Sequence, residues 1–143
     1  MIRRAAESDF DRIEALLTGA HLPLDGAREA FRVGFVAEDR EAIVGAVALE
    51  LYPDSALLRS LVVDRTVQGQ GVGGALTQAA IDEAQRRGMM AIYLLTTTAD
   101  AFFPRFGFVA MDRRSMPASI QGSIEFQSAC PASAIAMRRQ PRQ

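Results

Sequence analysis

Hydrophobic and polar positions follow two different periods along the chain. Residues 31–38, 43–52 and 56–63 are apolar runs separated by charged or proline-containing turns, which is typical of an antiparallel meander. Residues 71–87 instead carry apolar side chains every three or four positions, which predicts a long amphipathic helix that ends at Gly88. The continuous apolar run 91–97 predicts a strand buried on both faces.

The remaining pattern completes one domain over residues 1–143. It predicts a strand at 2–5, a helix opened by a Ser8–Asp11 capping box and ending near Gly19, one helical turn within 22–30, a short helix at 99–105, a strand at 108–111, an irregular segment at 112–133 and a closing strand at 134–139. The order is β-α-α-β-β-β-α-β-α-β-β. It predicts an α/β (α+β) fold with a mixed sheet of about seven strands and about four helices, antiparallel in its N-terminal half and with parallel crossovers later.

Composition narrows the class of protein. With 49% hydrophobic residues the chain can bury a full core, and its 16 basic residues (all arginine) against 17 acidic ones form no long basic block. We therefore expect no nucleic-acid partner. The single cysteine, Cys130, excludes an internal disulfide and a cysteine metal cluster, and we expect no metal. No apolar run is long enough for a signal segment or a membrane span, so we expect a cytoplasmic protein.

The most informative motif is the turn Gln-Gly-Gln-Gly-Val-Gly-Gly at residues 68–74. It follows a predicted strand and opens the long helix. Glycines let the backbone approach a ligand closely, and the unpaired N–H groups of a first helical turn attract anions. The sequence therefore predicts a phosphate or pyrophosphate site here.

Three readings of this turn compete. The string matches the dinucleotide fingerprint, but no acidic residue ends the next strand, which closes in Thr96-Thr97-Thr98. A phosphate-binding P-loop requires a lysine, and the chain has none. A purely structural glycine turn remains an alternative.

The chain resembles the GNAT superfamily of acyl-CoA N-acyltransferases more closely. The matching motif is Gln68-x-x-Gly71-x-Gly73 after the strand end Leu61-Val62-Val63-Asp64, and a second landmark is Ala99-x-x-Phe102-Phe103-x-x-x-Gly107-Phe108. The resemblance covers the whole chain. It implies acetyl-CoA as co-substrate and a sheet whose two central parallel strands splay apart to open the acceptor site.

The resemblance also implies roles for individual residues. Backbone N–H groups would hold the coenzyme A pyrophosphate, and the strand before them would pair with the pantetheine arm, with Leu61 as the oxyanion donor. Thr96 and Phe103 would contact the cofactor. The implied cofactor residues are Leu61, Val62, Val63, Gln68, Gly69, Gln70, Gly71, Val72, Gly73, Gly74, Thr96 and Phe103.

Catalytic groups are less well marked. In many members of the family a tyrosine acts as the general acid at the position where this chain has Phe103. Phenylalanine has no proton to give, so that role cannot be carried over. The catalytic candidates are Leu61, Glu50 as a proton acceptor, and Ser60 beside the oxyanion position. Strand alternation predicts that Arg59 and Ser60 face opposite sides. Arg59 is either paired with a local carboxylate or, with Thr97 and Thr98, binds an acidic group of the acceptor.

Several runs are similar to the small N-acetyltransferases of arsenic-resistance gene clusters, among them residues 58–63, 93–99 and 125–134. This likeness suggests a small, amino-acid-like acidic acceptor such as arsinothricin or a phosphinic amino acid. Cys130 could be an arsenic-binding thiol or a small buried residue.

The hypothesis is thus direct transfer of an acetyl group to the primary amine of a small molecule. A non-catalytic acetyl-CoA-binding regulator and a peptide or protein N-acetyltransferase are the alternatives. The resemblance is compatible with a homodimer through the closing strands.

Overall fold

A computed structural model of the chain describes residues 1–97, 99–123, 126 and 134–140. The strands are β1 (Ile2–Arg4), β2 (Gly34–Asp39), β3 (Ala42–Leu51), β4 (Ser55–Val63), β5 (Ala91–Thr96), β6 (Val109–Met111) and β7 (Ile135–Arg139). The helices are α1 (Phe10–Gly19), α2 (Ala27–Ala30), α3 (Val72–Arg86) and α4 (Ala118–Gln121).

In the described part of the chain the strands form one sheet in the order β1-β2-β3-β4-β5-β7-β6. Strands β1 to β4 are antiparallel neighbours, as the meander pattern predicts. β4 and β5 are parallel, whereas β7 runs antiparallel to both β5 and β6. The mixed α/β fold is confirmed. β4 and β5 form one adjacent parallel pair in the described sheet, and β5 and β6 run in the same direction with β7 inserted between them.

Helices cover both faces of the sheet. On one face α1 and α2 bury Ile13, Leu17 and Ala27 against β2, β3 and β4. On the other face α3 buries Leu76, Ala80, Ile81 and Ala84 in the main core. A third cluster packs Met116 and Ile120 against β5 and β7. Because β3 and β4 lie between two layers of helices, their apolar side chains are buried on both faces of the sheet.

The start of α1 differs from the predicted capping box. A 3₁₀ turn at Glu7–Asp9 precedes the helix, and the Asp9 carboxylate accepts a hydrogen bond from the Ala6 backbone N–H at 2.7 Å. The same carboxylate accepts two bonds from Arg3 on β1, at 2.8 and 2.9 Å. Asp9 is buried and Ser8 is exposed. Asp9, and not the Ser8–Asp11 pair, therefore fixes the entry into α1.

Two other elements are shorter than predicted. Residues 31–33 form a 3₁₀ turn, so β2 begins only at Gly34. A Cβ at Gly34 would lie 2.6 Å from the Phe31 ring, which explains why a glycine ends this turn. The predicted helix at 99–105 is a turn followed by a 3₁₀ segment, Phe103–Phe106, that Gly107 stops at a φ of 92°. The segment predicted as irregular contains α4 in its described part.

The Asp9 contact predicts a pH-dependent stability. Arg3 holds the pKa of Asp9 below its usual 3.8, so this stabilisation is present above about pH 4 and is lost as the pH falls through the lowered pKa. We expect Asp9→Asn to lower the free energy of unfolding by about 1–2 kcal/mol at pH 7. The difference from wild type should shrink between pH 4 and pH 3. Urea unfolding at several pH values measures it.

Asp82→Asn is the matched control, since Asp82 is an exposed carboxylate on α3 bonded to Gln78. The free energy of unfolding of this variant should differ little from that of wild type at any pH. A stability difference for Asp9→Asn that stays constant from pH 7 to pH 3 contradicts the assignment.

Candidate active site

The glycine-rich turn between β4 and α3 has the backbone geometry of an anion cradle. Gly69 and Gly71 have φ values of 83° and 84°, and Gly71 is the N-cap of α3. A Cβ at either position would meet no atom within 4 Å. These two glycines are therefore required by their left-handed conformation and not by lack of space. The first N–H groups of the following 15-residue helix have no partner within the helix, and such groups attract anions.

Side-chain hydrogen bonds hold the loop between the end of β4 and the glycine-rich turn. The Asp64 carboxylate accepts bonds from the Thr66 backbone N–H and hydroxyl, both at 3.0 Å, which lowers the pKa of Asp64. The Gln68 side-chain amide donates to the Val63 carbonyl at 3.1 Å. The loop from the end of β4 to the glycines is thus fixed before any ligand arrives.

A cavity of about 810 Å³ opens over this turn. It joins the glycine turn to the end of β4 and to the turn after β5, and its lining is Leu61, Val63, Val67, Gln68, Gly69, Gly71, Val72, Gly73, Gly74, Ala99, Phe102, Arg105 and Phe106. Eight of the predicted cofactor residues occur in this lining. The anion cradle and the predicted pantetheine strand therefore share one cavity.

The predicted splay of the central strands is present. β4 and β5 pair at Ser55↔Ala91, Ala56↔Ile92 and Leu57↔Tyr93, and no register pairs join them beyond that point. β4 continues to Val63 and β5 to Thr96. The free edge of β4 from Leu58 onwards thus faces the gap between the two strands.

A β-bulge interrupts β4 at the same level. The register with β3 shifts between Ala46↔Val62 and Ala48↔Arg59, so that Ser60 and Leu61 have no register partner on β3. Ser60 has a φ of 61°, in the left-handed region. The expectation that Arg59 and Ser60 face opposite sides was wrong, because the bulge breaks the alternation of the strand. The Arg59 Nε donates to the Ser60 Oγ at 3.1 Å.

Arg59 lies in the interior. Its side chain has no exposed surface, and its Nη1 donates to the Glu50 carboxylate at 2.9 Å. The other oxygen of Glu50 accepts from the Tyr52 hydroxyl at 2.6 Å. Of the two roles predicted for Arg59, the structure shows the pairing with a local carboxylate. Its predicted part in binding the acceptor stays a prediction.

Glu50 lies at the wall of a second cavity, of about 430 Å³. α2, the end of β3 and the end of α4 enclose it, and its lining is Gly26, Glu29, Ala30, Val33, Leu49, Glu50, Leu51, Tyr52, Gly122 and Ser123. Sequence reasoning missed Tyr52 and Ser123 as site residues. The half-buried position of Tyr52 beside Glu50 depends on the ends of β3 and α4 coming together, for which no local motif exists.

Other predicted site residues lie in different places. Phe103 is buried in the core, with ring centroids 5.1 Å from Phe102 and 5.6 Å from Phe108. Phe102 and Phe106 line the large cavity, and the cofactor contact expected of Phe103 stays a prediction. Val62 is buried in the α1 cluster.

The remaining residues that the sequence singled out are the threonines at 96–98, Gln70 and Cys130. The Thr96 hydroxyl accepts from the Ala99 backbone N–H at 2.9 Å and so closes the turn after β5. Thr97 and Gln70 are exposed. Thr98 and Cys130 lie outside the described residues.

A third cavity, of about 500 Å³, lies between the end of α1 and the end of β4 and includes His21 and Arg65 in its lining. Within the described ranges no three His, Cys, Asp or Glu side chains come together in a way that could hold a metal ion. Across those ranges there is also no helix with the length and apolar character needed to cross a membrane.

Comparison with known proteins agrees with this geometry. The family model for the acetyltransferase (GNAT) domain matches residues 31–110. The uncharacterised protein YwlB of Bacillus subtilis is 32% identical over an alignment of 131 residues that covers 87% of this chain and 86% of YwlB.

Two solved structures share the fold. Rv2747 from Mycobacterium tuberculosis, solved with CoA and NLQ, superposes with a TM-score of 0.83 at 23% identity over 98% of each chain. N-acetylglutamate synthase from Neisseria gonorrhoeae, complexed with coenzyme A and N-acetyl-glutamate, gives a TM-score of 0.85 at 20% identity, over 100% of this chain and 35% of the synthase.

The surroundings of Tyr52 predict that its hydroxyl ionises at a higher pH than that of a free tyrosine. Burial, and secondly the bond to Glu50, raise the pKa of Tyr52 above its usual 10.0. Stability from this group is therefore present below pH 10 and is lost as the pH rises past the raised pKa. In a Tyr93→Phe background, we expect phenolate absorbance at 295 nm to appear well above pH 10 in the folded protein. Adding Glu50→Gln should lower that pKa without restoring the usual value, because the tyrosine stays buried.

The same protein in denaturant provides the control and should titrate near pH 10. Circular dichroism at each pH confirms that the fold is intact. A folded Tyr93→Phe protein whose phenolate is complete by pH 10 contradicts the burial of Tyr52.

Proposed function

Because this chain belongs to the acetyltransferase (GNAT) domain family, we propose that it transfers the acetyl group of acetyl-CoA to the primary amine of a small, amino-acid-like acceptor. One observation carries the proposal: the anion cradle at the start of α3 and the open edge of β4 line the same cavity. A pyrophosphate and the thioester attached to it through an extended arm fit that arrangement.

The donor is held mainly by backbone groups in this proposal. The N–H groups of residues 69–74 bind the pyrophosphate, each with about 1.5–3 kcal/mol as a charge-assisted bond. The open edge of β4 at Leu61 and Val63 pairs with the pantetheine arm as an added strand would. Arg105, exposed over the Phe102 ring at 4.9 Å, supplies a cation at the rim of this cavity.

The chemical step is direct attack of the neutral amine on the thioester carbonyl. The C–N bond forms, the C–S bond breaks, and coenzyme A leaves as a thiolate or thiol. The backbone N–H of Leu61, at the bulge, stabilises the oxyanion. Phe103 has no proton to give, so a thiolate, which is a tolerable leaving group, departs or takes its proton from water.

Glu50 has a limited role as a base. Its two oxygens already accept hydrogen bonds from Arg59 and Tyr52, and its side chain is 18% exposed. We therefore propose that Glu50 attracts the acceptor's ammonium group to the second cavity and that water carries the proton away.

The acceptor is proposed from chemistry and from likeness. The cavity of about 430 Å³ that Glu50 lines suits a small molecule. The N-acetylglutamate synthase that shares this fold was solved with N-acetyl-glutamate and coenzyme A together. Acidic amino acids, and the organoarsenical or phosphinic amino acids suggested by the subfamily resemblance, are therefore the first acceptors to test. With Arg59 buried, recognition of their acidic group is assigned to Thr97 and Thr98.

The donor site is tested by charge and by backbone strain. Gly71→Glu should weaken acetyl-CoA binding at least about 100-fold, or about 2.8 kcal/mol, because it puts a carboxylate in the cradle and a side chain at a φ of 84°. Gly71→Ala adds the backbone strain without the charge. Its affinity for acetyl-CoA should therefore lie between those of Gly71→Glu and wild type. Isothermal titration measures each Kd.

Gly88→Glu is the control, since Gly88 is exposed beyond the other end of α3, has a φ of 74° and has open space around it. It should bind acetyl-CoA as wild type does. Retained affinity in Gly71→Glu would refute the pyrophosphate assignment.

The reaction itself is tested by turnover. We expect acetyl-CoA-dependent release of free thiol, followed with a thiol reagent, on addition of at least one α-amino acid, arsinothricin or a phosphinic amino acid, together with an N-acetylated product by mass spectrometry. Tight acetyl-CoA binding without release for any amine would indicate a regulator. Release with peptide N-termini alone would indicate a protein acetyltransferase.

A further inference from the structure

Ser60 has an unusual conformation for its place in the sheet. Among the described residues four non-glycine side chains have a positive φ, and three of them (His21, Arg40 and Glu41) lie in turns. Ser60 alone of these four lies within a strand, at the bulge of β4. Glycine normally occupies a left-handed bulge position, because a Cβ is disfavoured there. Neighbouring contacts must therefore hold Ser60 in place.

The Arg59 side chain supplies such a contact. Its Nε donates to the Ser60 Oγ at 3.1 Å, and its Nη1 donates to Glu50 on β3 at 2.9 Å. Tyr52 bonds the other oxygen of Glu50. The guanidinium thus joins the strand that is continuous, β3, to the residue that bends β4. Its planar, rigid fork suits a bridge between two fixed acceptors.

The bend matters because of the residue that follows it. Leu61 has no register partner on β3, and β4 has none on β5 beyond Leu57. The direction of the Leu61 backbone is therefore set by the bulge and not by a ladder of hydrogen bonds. A shift of about 1 Å in a group that acts on the reacting carbonyl can lower a rate about 100-fold.

We propose that Arg59 is a positioning residue for acyl transfer. By bridging Glu50 and Ser60 it holds the left-handed bulge, and through the bulge it orients the Leu61 N–H toward the thioester carbonyl. The proposal rests on the proposed function, since it assigns Arg59 a part in that reaction. It replaces the acceptor-binding role suggested by the sequence.

The test compares kinetics with donor binding. Arg59→Met should lower kcat by about 10- to 100-fold, while the Kd for acetyl-CoA stays within about twofold of wild type. Combining Arg59→Met with Ser60→Gly should restore kcat at least about fivefold over Arg59→Met alone, because glycine adopts the bulge conformation without a bridge. A residue that only stabilised the fold would not respond to this second substitution.

Arg4→Met is the matched control. Arg4 bonds a buried carboxylate, Glu83, at 2.8 Å, far along the chain from the bulge. It should lower the melting temperature and leave kcat unchanged. All assays are run well below the lowest melting temperature. Arg59→Lys keeps a positive charge beside Glu50 but has no planar fork. If Arg59→Met does not fold, we expect Arg59→Lys to lower kcat in the same way.

Three results would overturn the proposal. The first is an unchanged kcat in a folded Arg59 variant. The second is a loss of acetyl-CoA affinity equal to the loss of kcat. The third is a double variant no more active than Arg59→Met, because the second substitution would then have restored nothing.

If wild type acetylates no amine, the proposed function fails separately. The positioning claim is then judged by the ¹H–¹⁵N resonance of the Leu61 amide, which should shift in Arg59→Met and not in Arg4→Met. An unshifted resonance overturns the claim.

Discussion

Strand β4 is bonded along one edge to β3 over most of its length, but to β5 only from Ser55 to Leu57. The rest of the site depends on this asymmetry. The β3 edge holds the strand rigid, whereas the β5 edge leaves backbone groups exposed to a gap. α3 begins beyond the end of the same strand, so its N-terminus lies at that gap. A ligand with an anionic group and an extended arm can then bind almost entirely to backbone, without any lysine.

The ion pair of the buried Arg59 with the partly exposed Glu50 carries an energetic cost. Removing two charges from water is unfavourable, and the cost is offset only where the geometry is good and the remaining hydrogen-bonding groups are engaged. Here Ser60 and Tyr52 take up further bonds. Such a cluster gives little net stability over an apolar one, and we propose that its value lies in specifying a conformation. The conformation that it contacts is the left-handed residue of the bulge.

The sequence predicted what local patterns encode. The meander, the α3 helix and its end at Gly88, and the Gly69 and Gly71 turn follow from periodicity and from glycine's backbone freedom. It failed where long-range packing decides. Alternation placed Arg59 and Ser60 on opposite faces, but a bulge depends on the partner strand. β7 inserts between β5 and β6, which no local run reveals. Phe103 and Phe102 are adjacent, and only packing decides which one reaches the cavity.

The absence of a tyrosine at position 103 is consistent with a site built from backbone. Side-chain acids must be placed by a rotamer and a local pKa, whereas an N–H at a bulge is placed by the strand itself and stays protonated at every physiological pH. The donor cavity contains Leu61 and the second cavity contains Glu50, and Arg59 and Ser60 connect the elements between them. In the proposed reaction a single bridge through Arg59 therefore couples the backbone at Leu61 to the wall of the second cavity. Substitutions in this interior bridge should alter the rate of transfer before they alter affinity for the donor.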